Sequence, residues 1–483
     1  MKNIIKHIKR SWSSDTLMTM FSFIVRSGNF LFLLPLLLKL EPSDQSVYWQ
    51  FQFIYGFLYI LVAELGLNFI RSLAFVQGGA KEEDLFDLRK RSINNSSKEI
   101  KDLTHKVIAT IHRSGIYAAI FVFFLLLIFG SLALIFPISL MDNPRSGWIA
   151  WYFFIIISSF VTYAGNYAYY IQGFGEVALY RRWEGFVTLI SIIAGIISLL
   201  YGYGILGLIV AQHSIFALGI IGRRYLALKV LNKNEIELKT KLYDRKIFLI
   251  IWSKTWRTTL GVFFHSGIFR LTPIFFAQLN PNTIIMASFG LTFKLMTTIV
   301  DFSKAPFYSK LPYLAKEFTL DKKKGLKLIQ KRFFYSLILF VISVIIVGTF
   351  GNKILNLLGS NTQLYSNLFW VIFGLAFFVE RYSAMHLNIY TLSNHIIWHR
   401  MYFISGLIYI FLIIVLYKIF GELSFPISLL LSELIFSSWY SCRHSLELFN
   451  ISFIKFESKV SLIPLIVLIF YAIFSIYNYV GVK

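Results

Sequence analysis

The sequence holds one cysteine, Cys442, and only 15% of its residues are charged. A lone cysteine excludes an internal disulfide and any metal cluster made of cysteines. A soluble domain carries about a quarter charged residues, so 483 residues this poor in charge do not read as a water-covered protein. No Gly-rich phosphate loop of the Walker type occurs, and the chain brings no ATPase of that kind. No His-Glu-x-x-His pair and no Cys/His metal spacing occur, and the nine histidines are scattered. No Ser-His-Asp set can be argued from residues confined to apolar runs and short connections.

What fills the chain is apolar. Hydrophobic residues make up 57% and aromatic residues 18%, gathered into runs of about twenty, the length that crosses the hydrocarbon as a helix. The short alternating strands of a membrane β-barrel are not seen. The expected fold is an all-α polytopic membrane protein. Thirteen candidate spans follow, six of them at 16–38, 47–70, 115–140, 148–171, 184–201 and 205–222. Six more lie at 247–279, 283–303, 333–357, 364–390, 397–420 and 425–446, and a last at 460–481.

The net charge of +23 would suit nucleic acid, but the basic residues sit between spans. Lys and Arg number nine in 71–114, eight in 223–246 and nine in 304–332. These segments alternate with connections poor in positive charge, such as "KLEPSDQS", "MDNPRSG", "YGYG" and "LNPN". Positive loops stay cytoplasmic and contact anionic lipid, so the amino terminus is expected inside. Span 13, if it crosses, places Lys483 outside. The start "MKNIIKHIKRSWSSD" has no small-residue cleavage site after its first apolar run, and residues 2–12 are expected as a basic helix on the membrane surface. No outer loop exceeds about a dozen residues, which leaves no room for an extracytoplasmic catalytic domain.

Slid against itself by 239 positions, the chain places "RSGNFLFLLPLLLKLEP" from Arg26 over "HSGIFRLTPIFFAQLNP" from His265. After a two-residue loop difference, Glu64 falls over Asp301. A fainter echo lays "QGFGEVALYRRW" from Gln172 over "TLSNHIIWHRMY" from Thr391, aligning Arg181 with Arg400. The expected organisation is a basic segment 1–15, an N-lobe of spans 1–6 over 16–222 and a basic loop 223–246. A C-lobe of spans 7–12 over 247–446 follows, then 447–483 with span 13. Six spans per half make the repeat parallel, and such folds place the substrate site between the halves near the midplane.

The polar residues inside spans are the site candidates. Asp15, Thr19, Ser22, Arg26 and Asn29 recur at spacings of 4, 3, 4 and 3, one face of a helix. Their counterparts are Lys254, Thr258, Gly261, His265 and Ile268, with Thr272 one turn on. Ser and Thr in such stripes commonly bond neighbouring helices. Arg26 differs, because a guanidinium in a span is costly and marks function by default. Lys294, Thr298 and Asp301 share one face of span 8, where Lys294 and Asp301 are placed to pair. Glu64, the adjacent Glu380 and Arg381, and Arg257, Arg270 and Lys304 complete the set; Arg257 and Lys304 lie near helix ends, where such chains snorkel. His265 is a candidate proton-sensitive group. Glu433 and Arg443 read as structural.

The sequence resembles the polysaccharide transporter branch of the multidrug/oligosaccharidyl-lipid/polysaccharide flippase superfamily, and within it the Wzx-type flippases of O-antigen or capsule repeat units. "VRSGNFLFLLPLLL" resembles that family's first helix, and "YWQFQFIYGFLYILVAELGLNFIRSLAFVQGG" its second helix and cytoplasmic exit, with Glu64, Gly66 and Arg71 as landmarks. "YYIQGFGEVALYRRWE" resembles the end of its fourth helix and the basic turn after it. The likeness implies two pseudo-symmetric six-helix lobes around a central cavity in the bacterial cytoplasmic membrane, and transport rather than catalysis. It implies an undecaprenyl-diphosphate-linked oligosaccharide as substrate and no cofactor beyond a coupling proton or sodium ion. Membrane lipids, a polymerase and a chain-length regulator would be partners, and nucleic acid would not. The likeness carries over Arg26, Asn29, His265 and Lys294 to the cavity and Glu64 and Asp301 to the coupling ion; the reading of the spans adds Arg270 and Arg257 to the cavity and Glu380 to the coupling ion. Tyr163, Asn166 and Tyr169 would meet sugar. One extra span fits neither a plain twelve-helix form nor the lipid II flippase branch, which adds two. A drug/cation antiporter of the same superfamily, expected to have a more acidic cavity, is the alternative. A polysaccharide polymerase or ligase would need the large external loop that is missing here.

Overall fold

A computed structural model describes residues 14–82, 96–238, 242–264, 268–308, 314, 322–391 and 397–481. The chain divides into two compact units, Met1–Thr259 and Leu260–Lys483. Among the described residues every regular element is a helix.

In the first unit α1 is Asp15–Leu37, α2 Pro42–Gln77, α3 Ser97–Leu125 and α4 Ser131–Ser139. They are followed by α5 Pro144–Gly173, α6 Val177–Leu200, α7 Gly204–Lys233 and α8 Arg245–Val262, whose last residues pass into the second unit. Helix starts carry local signals. Ser14 Oγ accepts from Leu17 N at the start of α1, and Asn143 Oδ1 accepts from Ser146 N just before Pro144, the first residue of α5. Such residues satisfy amides that have no partner within the helix, and Pro there gives up only an N–H that would be orphaned anyway. The turn between α1 and α2 is closed by Gln45, whose amide donates to the carbonyls of Leu38 and Leu40 at 3.2 and 2.9 Å.

Helix α3 starts at Ser97, well before the expected span at 115, because a helix continues past the hydrocarbon as long as its backbone bonds are internal. It runs into α4 through a π turn, Leu126–Gly130, where Trp151 of α5 lies against Gly130 and donates to Ser131 Oγ at 2.9 Å. The inner part of the unit is apolar: Phe69, Leu73, Val107, Ile108, Tyr170 and Ile251 are buried together.

In the second unit α9 is Ile268–Leu279, α10 Thr283–Ser303, α11 Ala305–Tyr308, α12 Lys322–Leu357, α13 Asn367–Thr391 and α14 Trp398–Phe420. After them come α15 Ser424–Ser432, α16 Ser438–Phe449, α17 Phe453–Val460 and α18 Leu462–Gly481. Both α8 and α9 lie within the expected span 247–279, and residues 265–267 between them fall outside the described residues. Gly421, at φ 53°, ends α14 and lets α15 pack back on it, so spans 11 and 12 are separate although Trp398–Leu448 is one long apolar stretch. The final span is a bent pair, α17 meeting α18 at 60°. By length and apolarity alone, nine helical stretches among the described residues can cross a membrane, ten with the bent pair. The protein is a multi-pass membrane protein. The unit's interior is built on rings, with Phe276 stacked on Phe289 at 3.7 Å and Phe269 on Phe293 at 4.8 Å.

Candidate functional site

Helix α1 packs along α6, and the approach is close because Gly185 presents no side chain where the Phe21 ring lies. The polar stripe of α1 faces this seam. Asp15 Oδ1 accepts from Ala178 N at 2.7 Å, capping the amino end of α6 from another helix. Two turns deeper, Ser22 Oγ donates to Glu184 Oε2 at 2.6 Å. Arg26 Nη1 lies 3.6 Å from Glu184 Oε1, and Arg181 Nη1 lies 2.8 Å from Glu184 Oε2. Tyr180 OH donates to Glu184 Oε1 at 3.1 Å. Gln212 of α7 donates to Asn29 Oδ1 at 3.3 Å, continuing the polar seam.

Arg26 therefore has a carboxylate partner. Two guanidiniums share one carboxylate, and the cluster keeps a net positive charge. Arg26 remains about one-third exposed and Glu184 is the more buried partner. Burying a charge is tolerated when it is paired and hydrogen-bonded, and Glu184 has four groups doing this. Sequence reading found Arg26 as a charge in an apolar run but not Glu184. The signal was Glu184 itself, an acid at the start of span 5, one turn after Arg181.

The sugar candidates are placed differently from one another. Tyr163 and Tyr169 are half-buried; Tyr163 is edge-on to Tyr167, and Tyr169 packs on Phe69 and Gly66. Asn166 is buried against Gly115 of α3 and donates to the His112 carbonyl at 3.4 Å, so its amide is spent on helix packing.

The second unit contains a cavity of about 100 Å³. Its charged lining is Arg270 of α9, Asp301 and Lys304 at the end of α10, Glu380 of α13, and Glu433, with Phe269, Phe377 and Tyr409 as walls. Three acids from three elements meet two bases there. Lys304 Nζ donates to Asp301 Oδ1 at 2.7 Å. Lys304, one turn along the same helix, thus forms an ion pair with Asp301. Lys294 lies within electrostatic reach of Arg270 and Asp301. Glu433 opens a π turn, Glu433–Ser437, a local widening that re-aims side chains and recurs at functional sites. Beside Glu380, Arg381 is buried with its guanidinium 5.5 Å from the Tyr308 ring centre. The cavity brings together Arg270, Asp301, Lys304 and Glu380 from the sequence candidates, and adds Glu433, which the sequence reading took as structural. His265 and the side chains of Glu64 and Arg257 lie outside the described residues.

Gly261 and Gly406 hold α14 against the end of α8, meeting His399 and Phe264, and Thr272 and Tyr409 share a hydrogen bond of 2.8 Å. The Phe403 ring of α14 packs edge-on against Phe264 at 4.6 Å.

No protein-family model matches the sequence. No curated protein matches it either. Solved structures do match by fold. A lipid II flippase, MurJ, in an inward closed conformation aligns with a TM-score of 0.60 at 13% identity, over 97% of this chain and 99% of that one. An inward-facing multidrug resistance MATE family transporter of the MOP superfamily aligns at 0.61 and 9% identity, over 91% of this chain and 96% of its own. A point mutant of the Vibrio cholerae MATE transporter VcmN aligns at 0.57 and 12% identity, over 93% of this chain and 99% of its own. The chain has the fold of these transporters across nearly its whole length.

Proposed function

We propose that this protein is a transporter that moves an undecaprenyl-diphosphate-linked oligosaccharide from the cytoplasmic to the outer leaflet of the bacterial cytoplasmic membrane, coupled to a proton or sodium gradient. The observation that carries this reading is the Arg26–Glu184–Arg181 cluster, a fixed surplus of positive charge on membrane-spanning helices. A diphosphate crossing about 30 Å of hydrocarbon meets a prohibitive solvation cost. Guanidinium groups offset part of it and can grip phosphate oxygens in pairs. Arg26 is the exposed member of the cluster, so it is the one that meets the headgroup, with Asn29 beside it. Arg270, Lys294, His265 and Arg257 supply further positive or polar contacts. Tyr163 and Tyr169 are offered to sugar, and the polyprenyl tail stays in lipid.

The acid-rich cavity of the second unit is assigned to the coupling ion, through Asp301, Glu380 and Glu433, with Glu64 as the first half's equivalent of Asp301. The same cavity favours a second reading, antiport of an organic cation against protons or sodium, as in multidrug transporters. Purified protein in proteoliposomes separates the two. Movement of a fluorescent undecaprenyl-diphosphate oligosaccharide across the bilayer, lost in Arg26→Ala, is the expected result. Gradient-driven movement of a cationic dye with no movement of the lipid would replace the flippase reading with the antiporter.

A further inference from the structure

Away from both charged sites, three side chains from three helices converge: His386 of α13, Cys442 of α16 and Glu457 of α17, all buried. We infer that His386, Cys442 and Glu457 form a binding site for a divalent cation of the zinc class, one that fastens α17 to α13 and α16.

Distances come first. His386 Nε2 lies 3.2 Å from Glu457 Oε1, Cys442 Sγ lies 3.8 Å from the same oxygen, and all three donor atoms fall within 4.8 Å of one another. Tetrahedral zinc with bonds of about 2.0–2.3 Å sets neighbouring donors roughly 3.3–3.6 Å apart.

The hydrogen bonds around the three donors point the same way. Ser445 Oγ donates to the Cys442 carbonyl at 2.9 Å and lies against His386 Nδ1. With the ring proton on Nδ1, Nε2 presents a lone pair to a buried carboxylate oxygen 3.2 Å away, an arrangement that a cation between them stabilises. With a proton on Nε2 instead, the ring bonds Glu457 directly. Ser461 Oγ donates to Glu457 Oε2, holding the carboxylate by its other oxygen. Tyr382 OH lies 3.0 Å from both Cys442 Sγ and Glu457 Oε1. Each donor thus has an outer partner that orients it, as metal ligands do.

Charge and softness select the ion. Binding releases the thiol proton of Cys442, and thiolate plus carboxylate cancel a divalent charge, leaving a buried site with no net charge. One nitrogen, one sulfur and one oxygen suit zinc or cobalt(II) rather than calcium or magnesium, which take oxygen. The rival occupant is a single proton on Nε2, which makes an imidazolium–carboxylate pair.

The test uses tag-free full-length protein in detergent, stripped with chelator and titrated with cobalt(II), then zinc. About one cobalt per chain is expected, with a thiolate-to-cobalt charge-transfer band that zinc abolishes. Cys442→Ser should lose the band, His386→Gln should weaken binding by more than the roughly ten- to hundredfold that loss of an outer partner costs, and Tyr382→Phe should keep the band. Zinc should raise the melting temperature of the unaltered protein and not that of Cys442→Ser. No band in the unaltered protein at saturating cobalt overturns the site in favour of the imidazolium pair. So does equal zinc stabilisation of Cys442→Ser. The cobalt band is read on the unaltered chain, so it decides the question even where a variant fails to fold.

Discussion

At the scale of single residues, Arg26 and Glu184 are unequal partners. Without Arg26, Glu184 keeps Arg181, Ser22 and Tyr180. Arg26→Ala should therefore insert and fold at near-normal levels while losing transport. A charge-assisted phosphate contact is worth about 1.5–3 kcal/mol, roughly ten- to a hundredfold in affinity. Arg26→Lys should keep part of the activity, since the charge survives without the planar fork. Glu184→Gln leaves two guanidiniums facing each other and should lower protein level more than Arg26→Ala does. Complementation of surface polysaccharide in a flippase-null strain, read with membrane protein level, checks all three. Normal polysaccharide from Arg26→Ala would end its role. For the coupling ion, Asp301→Asn with Glu380→Gln should leave lipid movement insensitive to the imposed proton or sodium gradient, measured in proteoliposomes. Arg26 was legible because a charge in an apolar run is conspicuous by itself. Glu184 was not, because periodicity shows which face of α1 is polar but not which helix it meets, 158 residues further along the chain.

At the scale of elements, small residues decide how near helices come. A Cβ on Gly185 would strike the Phe21 ring, and one on Gly173 would strike Leu73. Gly185→Ala should cost about 1–3 kcal/mol through forced side-chain shifts and lower the melting temperature. Adding Phe21→Leu should recover part of the loss. If Gly185→Ala melts like the parent, the α1–α6 seam is not tight. The helices themselves were legible from the twenty-residue apolar runs, and their broken forms were not. The charged stretch before 115 read as loop because hydropathy tracks the bilayer, whereas a helix follows its own backbone bonds. The convergence of His386, Cys442 and Glu457 was beyond sequence reading for a similar reason. Their separations of 56 and 15 residues match no ligand spacing and become meaningful only once three helices meet.

At the scale of the whole molecule, charge orients the chain. Single cysteines at Ser96, Lys239 and Lys323, in a Cys442→Ser background, should react with an impermeant maleimide only after the membrane is opened. Labelling of any of them in intact cells would reverse the topology. Two helix seams also differ in how they can change over generations. Phe403 meets Phe264 as one hydrocarbon ring meets another, so either can be exchanged for a neighbouring hydrophobe by single steps, each nearly neutral. The α1–α6 seam joins Arg26 and Arg181 to Glu184. There, replacing the acid sets two positive charges against each other before any second change can compensate. The charged seam should therefore accept far fewer single substitutions than the aromatic one.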